Sequence, residues 1–332
     1  MKTNLIFLLQ LYSFYTFGQV SPELREADRI RIKEAKIISS KYGDNIWKGY
    51  NDVPFTIILV TDSIEFLIDH PNPSDDYIFL INDEVLDSKI YYRKTQFNPQ
   101  FLATFPAVNG LSCIVVGTPE NTNKNSSEWI ITLLHEHFHQ YQSTHPGYYE
   151  NINQLSLSGG DQTGMWMLNY PFPYESIAIK DQFKSFTESL YLSVTSINNK
   201  DFEKKLMLYI KERERLKNVM PAADYRYFSF QLWQEGLARH TEYKFLDLLK
   251  NYTPSKEISA LPDFEPFGAL KKKMYDEEMK KLRENNLDQS QRNSFYTVGF
   301  AEGILLDKLN KDWRSRYFED MFYIERYSPV FK

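Results

Sequence analysis

Cysteine is almost missing from this chain: Cys113 stands alone in 332 residues. That excludes an intrachain disulfide framework. The fold has to be held by its core, and a chain of this length can bury a large one. A basic stripe is missing as well. The 39 Lys and Arg are mixed with 44 Asp and Glu, leaving a net charge of −5. Nucleic acid is therefore excluded as an expected partner. Past the first twenty residues no apolar run approaches the roughly 20 residues that a membrane span needs. No internal repeat and no low-complexity segment is found, which excludes a solenoid or a linker array.

The one long apolar run is at the start. Lys2 precedes Leu5-Ile6-Phe7-Leu8-Leu9, and Thr16-Phe17-Gly18 offers small residues before Gln19. Residues 1–18 read as a secretory signal. The run is too short to serve as an anchor, and no cysteine is placed for lipidation. The expected product is exported, periplasmic or secreted, without a stable membrane anchor.

Aromatics are plentiful, with 23 Tyr and 24 Phe. Most belong to the core, and some are suited to lining a cleft. The pattern along the chain predicts an α+β fold. Residues 19–142 form an α/β subdomain. It begins with an amphipathic helix over 22–41, and a strand-rich region over 53–116 follows. Strands are expected at 54–60, 77–81 and 111–116, with a turn at 117–121. A loop at 70–74 carries His70, read as a surface or capping residue. Residues 143–332 form a helical subdomain, regular from about residue 176. The irregular stretch before it suits a cleft rim or a plain surface loop. The charge run from Lys211 to Lys217 reads as a solvated helix face.

Three of the six histidines fall within five residues, in Leu133-Leu134-His135-Glu136-His137-Phe138-His139-Gln140. His135, Glu136 and His139 fit H-E-x-x-H. On a helix, i and i+4 share a face, so His135 and His139 can bind one metal ion. Glu136 beside them can act as general base on a water at that ion. Asn125-Ser126-Ser127-Glu128 upstream is a helix start, and an apolar run leads from it into the motif. His137, at i+2, points elsewhere.

Two residues compete as third ligand. His145 stands six positions after His139, the spacing of H-E-x-x-H-x-x-G-x-x-H. The glycine of that pattern is here Gln142. Glu235 lies in Trp233-Gln234-Glu235-Gly236-Leu237-Ala238, read as a helix. Gly236 leaves room for a close approach to the motif helix, and Glu242 on the same face can orient a ligand histidine. Glu235 is the better fit. Its bland alternative is an ion pair with Arg239.

With those residues the chain resembles the gluzincin metallopeptidases, in particular the aminopeptidase branch that includes leukotriene A4 hydrolase. That branch carries a zinc-binding Glu in an N-E-G-x-A segment, another Glu seven residues on, as Glu242 is here, and a tyrosine in Y-x-x-G. Tyr296-Thr297-Val298-Gly299 matches the last of these. The resemblance implies a zincin-like fold, with the cleft between the α/β and the helical subdomain. It implies Zn²⁺ on His135, His139 and Glu235, with Glu136 as base and Tyr296 donating to an oxyanion. The implied substrate is a peptide or protein, and an edge strand near residues 111–116 could pair with it. Two departures stand out. His139 and Glu235 are 96 residues apart (235 − 139). The exopeptidase segment G-x-M-E-N is echoed only by Gly117-Thr118-Pro119-Glu120-Asn121. Two other readings remain open. One is a zinc hydrolase of a non-peptide amide or cell-wall fragment. The other is a non-catalytic binding protein, for which His145 or His240 would close the site as a fourth ligand.

Overall fold

The computed structural model describes residues 22–284 and 286–331. The secretory-signal reading falls outside them. The fold is α+β. Helix α1 (Glu26–Ile46) precedes six strands: β1 (Ile57–Val60), β2 (Ile64–Ile68), β3 (Ile78–Asp83), β4 (Ser88–Lys94), β5 (Leu102–Val108) and β6 (Leu111–Gly117). They form one sheet in the order β3-β4-β2-β1-β6-β5, antiparallel throughout except for the central β1–β6 pair. Alternate residues feed two cores. Ile57, Leu59, Phe66, Ile68, Ile114 and Val116 face the helices, while Ile58, Val60, Leu67, Cys113 and Val115 pack on the other face. Burial on both faces is why the central strands read as unbroken apolar runs.

β6 leads into α2 (Ser126–Thr144), which is buried along most of its length. It starts with a capping box: Asn125 accepts from the Glu128 N–H, and the Glu128 carboxylate accepts from the Asn125 N–H. The chain then makes α3 (Tyr148–Gln154), α4 (Trp166–Asn169), α5 (Ile177–Thr195), α6 (Phe202–Val219) and α7 (Ala222–Gln231). A π-helical turn, Leu232–Gly236, joins α7 to α8 (Leu237–Leu249). α9 (Lys256–Ser259), α10 (Phe267–Glu284), α11 (Leu287–Ser290) and α12 (Asn293–Leu309) complete the helices. One apolar core runs from α1 and the sheet through α2 to α8, α12 and the C-terminal segment. Among the described residues, no helix is long and apolar enough to cross a membrane.

Several expectations are corrected here. β6 is interior, paired on both sides, so the free edge next to it is β5. The charge run from Lys211 is not a solvated face throughout. Arg213 is fully buried on Glu302 and Glu325, and Glu212 is buried too. His70 is buried, not on the surface, although its ring does accept from the Asn72 N–H. Arg239 pairs with Glu242 and Glu278 instead of Glu235. α1 begins at Glu26 and runs five residues past position 41, to Ile46.

Candidate metal centre

α2 points His135 and His139 into the interior by their i,i+4 spacing. Their Nε2 atoms stand 3.1 Å apart. Glu235 enters from the π-helical turn and places Oε2 3.7 Å from His135 Nε2 and 3.4 Å from His139 Nε2. These three are the group able to hold a metal ion among the described residues. A point about 2 Å from all three atoms lies within a triangle of those sides, which is the length of a Zn–N or Zn–O bond.

The hydrogen bonds behind the imidazoles decide the chemistry of the front. His135 Nδ1 meets Glu242 Oε1 at 2.7 Å, and His139 Nδ1 meets Gln142 Oε1 at 2.7 Å. Both partners are acceptors, so each Nδ1 carries the proton and donates it. Both Nε2 lone pairs then face one another and a carboxylate. Such a donor set repels itself unless a cation stands between, so the residues fit a divalent metal. Gln234 Nε2 also lies 3.1 Å from His139 Nδ1. Two donors cannot share that contact, and the shorter one to Gln142 sets the tautomer.

The titration behaviour carries the same message. Burial lowers the His135 pKa, but the charges of Glu235 and Glu242 override it and raise it to about 10. His139 is raised by Glu235 against burial in the same way. Burial pushes Glu235 up, and the two imidazoles hold it well below the usual carboxylate range. The pocket draws positive charge, and protons supply it in the absence of a metal.

Glu136 is buried beside the two imidazoles and adds to the raised pKa of each. Thr104 Oγ1, on edge strand β5, lies 2.8 Å from Glu136 Oε2 and 2.9 Å from its carbonyl oxygen. Tyr296 projects from the first turn of α12. Its hydroxyl accepts from Arg292 Nη1 at 2.6 Å and lies beside Glu235. Burial and the Glu235 charge hold the phenol well above its ordinary pKa, so it stays a donor.

Gly236 and Gly299 make the close crossing. A Cβ on Gly236 would lie 2.4 Å from Gly299 Cα, and one on Gly299 would lie 2.7 Å from Leu232 O. The approach is therefore to α12, not to the motif helix as the sequence suggests. It presses α12 onto the π-helical turn, and such turns place side chains that a regular helix would aim elsewhere.

The other histidines are committed away from the site. His145 stacks on Phe318, with ring centroids 4.2 Å apart, and accepts from the Gly147 N–H. His240 is buried on Asp307. His137 bonds Gln140 in the core, and burial lowers it to about 4. Glu120 is held by Arg25. Thr104 and Arg292 were not singled out from the sequence, and Gln142 was noted only as standing in place of a glycine. Only Gln142 had a local signal, an acceptor three residues after a candidate ligand histidine. Comparison of the chain with protein-family models, curated proteins and solved structures finds no match.

Proposed function

We propose that this chain is an exported zinc metallopeptidase of zincin-like, gluzincin-type architecture. The observation that carries the reading is the convergence of His135, His139 and Glu235, with Glu136 beside them. His135, His139 and Glu235 would hold Zn²⁺, which when bound supplies a Lewis acid and lowers the pKa of a coordinated water. Glu136 takes a proton from the attacking water and passes it to the leaving amine. Thr104 positions the Glu136 carboxylate for both transfers. The Tyr296 hydroxyl donates to the oxygen that gains charge as the carbonyl is attacked. Glu242 and Gln142 keep the Nδ1 protons in place, so the Nε2 lone pairs stay available.

β5 offers the track for an extended substrate. Gly117 N–H donates to Phe101 C=O, and the register pairs Ala103 with Val115 and Phe105 with Cys113. The alternation of an antiparallel ladder then turns the N–H and C=O of Leu102 and Thr104 outward. Pro106 has no N–H and ends the track. A peptide strand there would pass Glu136, which Thr104 touches. A closed, non-catalytic site would need a fourth protein ligand, and both candidates for it, His145 and His240, are engaged elsewhere.

Metal content by mass spectrometry tests this first. One zinc per purified chain is expected, lost in Glu235→Ala and kept in His145→Ala. Glu136→Gln is expected to keep its zinc and lose cleavage of a peptide library by at least about 100-fold, the scale of a positioned general base. Full activity in that variant would remove the mechanism.

A further inference from the structure

Most arginines near the core of this fold pair with two carboxylates, although Arg314 holds only Asp307. Arg31 bonds Asp28 and Asp263, Arg93 bonds Glu65 and Asp76, Arg213 bonds Glu302 and Glu325, and Arg239 bonds Glu242 and Glu278. Arg292 differs from all of these in having no carboxylate within hydrogen-bond distance. Its side chain is 24% exposed, and its hydrogen bond goes to a neutral phenol, Tyr296. The nearest carboxylate is Glu235 Oε1, at 3.9 Å, too long for a hydrogen bond. The other oxygen of Glu235 belongs to the ligand triangle. Once a dication takes up the Glu235 charge, the guanidinium is left without a counterion at the edge of the centre. Removing a charge from water without a partner is costly, so such a group is a binding site for an anion.

The surroundings specify what kind of anion. The Arg292 charge acts on the phenols of Tyr174 and Tyr227, and its guanidinium lies over the Tyr296 ring. A fork-shaped cation among aromatic rings suits a planar carboxylate borne on a peptide. We infer that Arg292 recognises a substrate carboxylate next to the scissile bond, making the substrates peptides with a C-terminal carboxylate or an acidic side chain at that position. The inference rests on the hydrolase reading and deepens it. A guanidinium serving only to hold Tyr296 would make a different prediction, because it would act on every substrate alike.

The experiment uses zinc-loaded Glu136→Gln protein, which binds without turnover. Three probes are titrated by calorimetry: N-acetylated Gly-Phe-Phe, its C-terminal amide, and N-acetylated Gly-Phe-Glu amide. The expected result is tighter binding of one or both carboxylate probes over the neutral amide. Adding Arg292→Gln should weaken those probes by about 10- to 100-fold, the range of a charge-assisted hydrogen bond, and leave the amide unchanged. The first and third probes separate a terminal carboxylate from a side-chain one. Arg292→Lys should fall between, since it keeps the charge and loses the fork. In the active enzyme the same substitution should raise KM for carboxylate substrates only. Equal binding of all three probes overturns the inference without any Arg292 variant. So does binding that survives Arg292→Gln and disappears with zinc, or a rise in KM common to neutral and charged substrates. If the wild-type chain cleaves no peptide and Glu136→Gln binds none of the probes, the hydrolase reading fails, and the inference falls with it.

Discussion

Glu242 and Gln142 do the same work for different histidines. Each accepts the Nδ1 proton and so turns the Nε2 lone pair toward the centre. Glu242→Gln keeps an acceptor but removes the charge that would balance an imidazole bound to the proposed metal. Zinc affinity should fall by about 10- to 100-fold, the usual cost of losing such support, read by competition with a chromophoric chelator. An unchanged affinity would make Glu242 a partner of Arg239 only. Acid should act on the same equilibrium. The folded-state pKa of His135 is raised, to about 10 in the absence of metal, so at neutral pH zinc has to displace a proton. Zinc affinity should therefore rise with pH, by about tenfold or more per unit between about pH 6 and pH 8. A flat profile from the same chelator assay would show that the imidazoles are already neutral there.

Among elements, the crossing of α12 with the π-helical turn sets the site. Gly236→Ala puts a methyl group 2.4 Å from Gly299 Cα, so the two backbones have to separate. The expected loss is about 1–3 kcal/mol in thermal or denaturant unfolding, together with weaker zinc binding, because Glu235 and Tyr296 ride on the two elements that move. Asn125→Ala is the control. It removes the α2 cap at a cost of about 1 kcal/mol and should leave zinc stoichiometry intact. Equal zinc affinity in the two variants would mean that the crossing serves packing alone. Element boundaries show what local patterns carry. The start of α2 was legible because a capping box is written within four residues. β2, β4 and β5 were legible only as a strand-rich region. Each pairs with its neighbour in sequence across a short hairpin, but the β2–β4 and β1–β6 pairs join strands that are not consecutive, and β5 acquires its meaning as the free edge only from its place in the sheet.

Across the whole molecule, the C-terminal segment is tied to the helices by a buried charge network. Arg213 bonds Glu302 of α12 and Glu325, and Tyr225 accepts from Arg213 and donates to Glu325. Arg213→Ala would strand two carboxylates, at a cost of about 3–5 kcal/mol in unfolding free energy. Zinc stoichiometry should not change in whatever fraction remains folded. A loss under about 1 kcal/mol would show that water reaches the network. Glu325 adds an acid dependence. Burial raises its pKa, but Arg213 and Tyr225 hold it below the ordinary value. Its stabilisation is therefore present above the unfolded-state pKa and is lost as pH falls through the depressed folded value. The charge pattern of residues 211–217 could not show this. Helical periodicity places Arg213 on a face, and only the segment that returns more than a hundred residues later covers that face.

The sequence by itself determined what depends on neighbours along the chain. The i,i+4 pair of His135 and His139 with Glu136 between them, the Asn125 cap and the apolar strands all follow from spacing within one element. Glu235 and Glu242 were legible because seven residues of helix repeat a recognisable pattern. The tertiary structure decided the rest. It brought Glu235 across 96 positions to 3.4 Å from His139, set Thr104 on Glu136 and placed Arg292 beside the centre, 3.9 Å from Glu235. It also moved the tight glycine contact from the motif helix to α12 and the free strand edge from β6 to β5. These are distances between segments remote in sequence. They are fixed by which faces the common core buries together, and periodicity shows only that a face exists.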